Sequence, residues 1–383
     1  MIKRILIAMA VAGFAMSANA KSVKSNSSTQ EFDYEVFKTV TLPSFPDIEI
    51  PIYKSAGTEG PAILLVHGNS SSSRSFLFQK FGELGRDRKV FMMDLPGFGR
   101  AGKVDSNIPF PVDSNGIPQG FPQYQVGMIE AIARVANDPD VQAEVLVGWS
   151  LGGDLILLTQ GLGLLPNTKG LFFFGTAPVG ANPTTTELPF LGPNVPGLNL
   201  SILASFGFSF QFNPNAILGF DFNGLFTDPV PAYAPSPIAD APDVGAAYMR
   251  AFFNERRRLN GDVPSFVLTD GYDRADARAR GSIGVVSFNL LPPGPIPFPD
   301  ELDVLRSLVN DPNDPNDDIP VAIIHGKQDA FVNLQYLEGL KAGGVMPTLW
   351  RGDIQVVLGA GHAVQLERPR RFNDLVAEFV NSL

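Results

Sequence analysis

Cysteine is absent from the 383 residues, and histidine occurs three times, at His67, His325 and His362. Without cysteine there is no disulfide framework, no thiolate nucleophile and no lipid-modified cysteine. With no H-E-x-x-H run either, no zinc site is expected, and no other metal or organic cofactor is implied. Basic residues are also scarce: 29 Lys and Arg stand against 39 Asp and Glu, a net charge of −10. That balance excludes nucleic acid and an anionic lipid surface as expected partners. After the first twenty residues no apolar stretch is long enough to span a bilayer, so no stable membrane insertion is expected.

What the N-terminus does have is a pattern. MIKRILIAMAVAGFAMSANA places Lys3 and Arg4 before an apolar stretch from Ile5 to Met16 and ends on Ala18-Asn19-Ala20. Such an arrangement predicts a secretory signal peptide over 1–20. Its removal takes two basic and no acidic residues, leaving a net charge of −12. The expectation is a soluble exported protein, periplasmic or extracellular. Residues 21–32, polar and small, read as a flexible leader.

Short apolar runs follow at AILLV (62–66), VFMM (90–93), EVLV (144–147), GLFFF (170–174), VAII (321–324) and IQVVL (354–358). Runs of four or five residues bounded by Gly, Pro or Asp, with helix-length segments between them, predict buried parallel strands. Helices are expected at Tyr124–Ala136 and Arg368–Leu383. The fold class is therefore α/β, a mostly parallel sheet with helices on both faces. Alternation breaks between Val179 and Asp318, which predicts core over 33–178 and 319–383 with an inserted cap over 179–318. Within the insertion, Phe206, Phe208, Phe210 and Phe212 recur at period two, on one face of an extended segment. Together with Trp149 they are candidates to line an apolar substrate pocket, against the alternative that they form the insertion's own core. A helix is expected at Val244–Leu259, with Arg256, Arg257 and Arg258 solvated.

One serine stands between glycines after a buried strand, in GWSLGG (148–153). A G-x-S-x-G run at a strand end is the pattern of a sharp turn that exposes its serine, and Gly148 and Gly152 remove side chains that would collide across it. Leu151 would then open a helix whose amides point at the reacting centre. A base and an acid are available further along. His362, in GAGHAVQLERP, lies on a glycine-rich loop past the last apolar run, while His67 and His325 end apolar runs and read as structural. Asp329, in HGKQDAF, follows the preceding run. In that set Ser150 attacks, His362 takes and returns its proton, and Asp329 orients the imidazole. Ser70 to Ser73 read as the N-cap of a following helix.

HGN (67–69), DLPGFGR (94–100), GWSLGG and the HGKQDAF and GAGHAVQLERP pair together resemble the α/β-hydrolase fold superfamily over nearly the whole chain apart from the insertion. The resemblance implies the chain order Ser150, Asp329, His362, a cap after the sixth strand and an oxyanion hole from the backbone N–H groups of Asn69 and Leu151. It implies a hydrolase of a small carboxylic ester or lactone acting through an acyl-enzyme, and the Phe-rich insertion favours an apolar acyl or alcohol part. Dehalogenases and epoxide hydrolases of similar core carry Asp at the position of Ser150 and are disfavoured. Carbon–carbon bond hydrolases and acyltransferases share the Ser, Asp, His set and remain open, as does an inactive binding protein.

Two other motifs compete and lose. GFGRAG (97–102) satisfies G-x-G-x-x-G after a run, but prolines follow where a phosphate-binding helix should begin, so a structural turn is expected. NDPNDPNDDIP (310–320) gathers carboxylates without the turn glycine and terminal glutamate of a calcium loop, and reads as a solvated linker.

Overall fold

The computed structural model describes residues 34–103, 121–180, 182–187, 189, 251–254, 256–257, 264–270, 274–276, 279, 298–309 and 318–383. The signal peptide, the leader, the four phenylalanines at 206–212, most of Val244–Leu259 and most of the carboxylate run at 310–320 lie outside these residues.

Eight strands form one sheet: β1 (Lys38–Leu42), β2 (Phe45–Lys54), β3 (Glu59–Val66), β4 (Arg88–Met93), β5 (Ala143–Trp149), β6 (Gly170–Phe174), β7 (Val321–Gly326) and β8 (Gln355–Val357). Their spatial order is β1-β2-β4-β3-β5-β6-β7-β8. From β4 to β8 every pairing is parallel, with β3 between β4 and β5 in the register Leu64↔Phe91 and Leu64↔Leu146. The six apolar runs are the six parallel strands. In the inner strands that unbroken hydrophobicity has a physical cause, because strands covered on both faces bury every side chain: all five residues of β6 are buried, whereas edge strand β8 leaves Val356 exposed.

Two strands run antiparallel at one edge, β1 with β2 and β2 with β4. No apolar run marks them. In β2 the signal is alternation: Ile48, Ile50 and Ile52 are 0 to 3% exposed, and the residues between them face the other side. The edge is closed by charge, since Lys38 of β1 pairs with Asp138 and Asp140 at 2.8 Å.

Helices lie between and after the strands from β3 onward: α1 (Leu77–Lys80), α2 (Glu83–Asp87), α3 (Phe121–Ala136), α4 (Leu151–Gly161), α5 (Ser265–Leu268), α6 (Glu301–Arg306), α7 (Leu334–Ala342), α8 (Val364–Glu367) and α9 (Pro369–Val380). α3 and α9 match the helices expected from the sequence. Pro369 opens α9 where its missing N–H costs nothing. Among the described residues no helix is long and apolar enough to cross a membrane.

α6 falls inside the span assigned to the insertion. It puts Leu302, Val304 and Leu305 into the same core as Leu155 and Leu158 of α4, so it serves as the crossover helix between β6 and β7. Its Glu301 is buried and accepts a hydrogen bond at 2.8 Å from the N–H of Val179. Burial, and then the neighbouring Asp154, hold that carboxyl well above the usual glutamate range. The chain leaving β6 is thereby bonded to the helix on which it returns.

Candidate active site

Ser150 sits between β5 and α4 at φ 51°, ψ −123°, the left-handed side that a non-glycine residue adopts only under constraint. The constraint is visible. Ser150 N–H donates to Phe174 O of the neighbouring strand at 3.0 Å, while Ser150 O accepts from Gly153 N–H at 2.8 Å and from Thr176 Oγ1 at 3.2 Å. A side chain at Gly148 would come within 2.5 Å of Gly153 Cα, and one at Gly152 within 2.5 Å of Val66 O and 2.6 Å of His67 O. The glycines predicted to free the turn do so against backbone, which cannot yield. Gly152→Ala should therefore destabilise the protein by on the order of 3 kcal/mol in urea unfolding, more than the roughly 1 kcal/mol that alanine gains in a helix. A loss below about 1 kcal/mol would mean that the elbow has slack.

His362 and Asp329, 33 residues apart in the chain, meet in the structure. His362 Nδ1 lies 2.9 Å from Asp329 Oδ2, and both side chains are buried. Asp329 Oδ1 is engaged separately, accepting from the N–H groups of Phe331 at 2.8 Å and Val332 at 3.1 Å. Burial pushes the Asp329 carboxyl up, but His362 first, and then His325 and the N–H of Phe331, together outweigh it and hold the group below the usual carboxylate range. An ionised Asp329 accepts from Nδ1–H, and in the neutral imidazole that bond selects the tautomer whose lone pair is on Nε2.

Several contacts place Ser150 and His362 at the same edge of the sheet. Trp149 Nε1–H donates to His362 O at 3.0 Å, so the residue before the serine holds the backbone of the histidine. Gly175, one residue past the carbonyl that binds Ser150 N–H, has φ 57°, and a side chain there would come within 2.9 Å of His362 Cε1 and Nδ1. Sequence reasoning missed Gly175; its signal was a lone glycine ending the β6 run. Rings of Phe331, Phe252 and Trp149 surround the imidazole at centroid distances of 4.9, 5.5 and 5.8 Å. Trp149 itself is 1% exposed and stacks parallel to Phe174, so in this arrangement it braces the histidine loop. Phe206, Phe208, Phe210 and Phe212 lie outside the described residues.

The loop after β3 approaches from the other side. A side chain at Gly68 would come within 3.0 Å of Ser150 Cβ, which brings Asn69, the next residue, alongside the elbow, while Leu151 opens α4. His67 is structural, as expected: Nδ1–H donates to Gly68 O at 2.8 Å and Nε2 accepts from Leu95 N–H at 3.0 Å. Burial lowers its pKa, so it stays neutral. Asp94 fastens the DLPGFGR turn by accepting from Ser73 N–H at 2.7 Å, Arg100 N–H at 2.9 Å and Tyr53 Oη–H at 3.0 Å. At Gly99 a side chain would run into that carboxylate. Ser72 caps the turn beginning at Ser73, accepting from Arg74 N–H at 3.2 Å, so the serine cluster starts a helical turn as predicted. His325 is buried at the end of β7 with its pKa lowered by that burial, and its Nδ1 has no hydrogen-bond partner. Among the described residues no group of three or more His, Asp or Glu could hold a metal.

The fold has solved counterparts. An N-acyl homoserine lactonase, AidH, with bound N-hexanoyl homoserine lactone superposes with TM-score 0.59 at 21% identity, covering 91% of this chain and 97% of that one. A bromoperoxidase from Bacillus anthracis gives 0.56 at 18% identity, over 90% of this chain and 100% of that one. An esterase from Rhodococcus sp. ECU1013 gives 0.54 at 17% identity, over 90% and 98%. At these identities the likeness is one of fold. No significant match is found among curated protein sequences. A family model covers far more than the elbow, matching residues 63–375 from the strand before the HGN loop to the last helix. With strand order, elbow and loops in agreement across that span, the chain belongs to the alpha/beta hydrolase family.

Proposed function

We propose that the protein is an exported serine hydrolase that cleaves a carboxylic ester or lactone with an apolar part, through an acyl-enzyme on Ser150. The observation that carries the reading is the His362 Nδ1 to Asp329 Oδ2 contact of 2.9 Å at the sheet edge where Ser150 is held in a left-handed turn. A lactonase and an esterase among the solved structures of like fold support the substrate class.

The chemistry follows from the groups present. Ser150 Oγ adds to the carbonyl carbon while His362 Nε2 takes its proton, and the charge on the imidazolium is offset by Asp329. Backbone N–H groups of Asn69 and Leu151 bind the oxyanion, each donor being worth about 10² to 10³ in rate. The imidazolium returns the proton to the leaving alkoxide as the C–O bond breaks. Water then adds to the acyl-enzyme with His362 again as base, releasing the acid and restoring Ser150. The steps so written balance without a metal or cofactor. In this reading the insertion serves as a cap for the acyl or alcohol group, and the N-terminal pattern of residues 1–20 as a signal for export to the periplasm or the medium.

The test is turnover by the mature protein of p-nitrophenyl esters from acetate to long acyl chains, alongside N-acyl lactones, with a fluorophosphonate to label the nucleophile. Hydrolysis that peaks at a medium or long chain, with the label on Ser150, is expected. A folded protein that hydrolyses none of them and takes no label would overturn the proposal in favour of a binding protein; label without turnover would point to a carbon–carbon bond hydrolase or an acyltransferase.

A further inference from the structure

Glu367, five residues beyond His362 and 6% exposed, takes no part in the chemistry above, yet its carboxylate joins two separate stretches of chain. One oxygen accepts from the N–H of Gly361, the residue before His362. The other accepts from the N–H of Asn254, in the insertion, at 2.9 Å. Two more bonds run in parallel: Ala363 N–H donates to Phe252 O at 2.8 Å, and Asn254 Nδ2 donates to Gly359 O at 3.2 Å. The approach is close enough that a side chain at Gly361 would come within 2.7 Å of Phe253 C and 2.9 Å of Asn254 N. Phe252, carried on the same stretch, lies against His362 and Trp149. The histidine loop is thus tied on both sides of His362 to Phe252–Asn254.

We propose that Glu367 is a positioning residue for the base, a role that rests on reading Ser150, Asp329 and His362 as the triad. Its carboxylate fastens the loop of His362 to the insertion, so that the direction of the imidazole is set by the insertion as well as by the sheet. Glutamate suits the task because only a carboxylate offers two acceptor oxygens to two converging N–H donors. Gln at this site would turn an NH₂ towards one of them, replacing a hydrogen bond with two opposed donors. Burial pushes the carboxyl up, while the two amides, and then Arg257 and Arg368, favour its ionised form.

The experiment compares Glu367→Gln with the unaltered protein in two readouts. The first is ester hydrolysis: kcat should fall on the order of 10 to 10²-fold, the effect of misplacing a reacting group by a fraction of an ångström to an ångström, while KM changes by less than about threefold. The second needs no turnover. With only three histidines in the chain, the Nδ1 proton of His362 can be assigned in the NMR spectrum by its loss in His362→Gln, and in Glu367→Gln it should shift or broaden while the rest of the spectrum stays folded. An unmoved resonance with unchanged kcat would overturn the inference. So would a fall in activity that only matches a loss of folded protein. If Glu367→Gln fails to fold, Glu367→Asp, which keeps the charge but is one methylene short, should show the same displaced resonance, and a resonance identical to that of the unaltered protein overturns the proposal. Should the unaltered protein hydrolyse no ester, the resonance still decides the positioning role, so failure of the functional reading and failure of this one are told apart.

Discussion

Ser150→Ala is expected to lower kcat on the best ester by on the order of 10⁴ to 10⁶-fold with little change in KM. The alcohol oxygen is the only atom removed, and neither of the other members of the proposed triad can form the acyl-enzyme in its place. The remnant should still exceed reaction in water, since the proposed donors at Asn69 and Leu151 are backbone groups untouched by the substitution. Stability separates chemistry from strain. Alanine keeps the Cβ at φ 51°, so its unfolding free energy should match that of the unaltered protein to within about 0.5 kcal/mol. Ser150→Gly removes the Cβ that makes this region unfavourable, and should be more stable by about 1 kcal/mol. Turnover above about a hundredth of the original in the alanine protein would remove Ser150 from the role of nucleophile.

How much of this was legible beforehand depended on the kind of signal each element carries. The inner parallel strands announced themselves because burial on both faces forces continuous apolar runs, and the edge strand β8 carries such a run although Val356 is exposed. β1 and the first half of β2 alternate between buried and exposed positions, and although the second half of β2 is buried from Ile50 to Tyr53, Pro51 interrupts its apolar run. The elbow, Asp329 and His362 were legible because each follows a strand at the same sheet edge, where residues distant in sequence converge. Glu367 and Gly175 were not. A glutamate near the start of a helix and a glycine at a strand end are common, and only coordinates reveal that one receives two amides from separate segments and the other makes room for an imidazole. α6 was absorbed into the insertion for a similar reason: its six residues are too short to show helical periodicity against proline-rich flanks.

Asp329→Asn should leave the protein folded and lower kcat on the order of 10⁴-fold, a loss set by geometry more than by charge. Asp329 Oδ1 is held by the N–H groups of Phe331 and Val332, so the amide oxygen of the substituted side chain must take that position to keep both bonds. Its NH₂ then faces His362 Nδ1, which can only accept, and the imidazole proton moves to Nε2. The base is present but holds its proton on the nitrogen that should be taking one. The reverse orientation would restore the tautomer at the expense of turning an NH₂ on two buried backbone donors. Stability should respond to acid in a matching way. The folded-state pKa of Asp329 lies below the ordinary 3.8, so the stability it contributes is complete above 3.8 and is lost as pH falls through the lower folded value. Urea unfolding as a function of pH should show that acid limb in the unaltered protein and a shallower one in Asp329→Asn. A variant that keeps kcat within about tenfold would show that His362 selects its tautomer without Asp329, and the acid of the triad would have to be sought elsewhere.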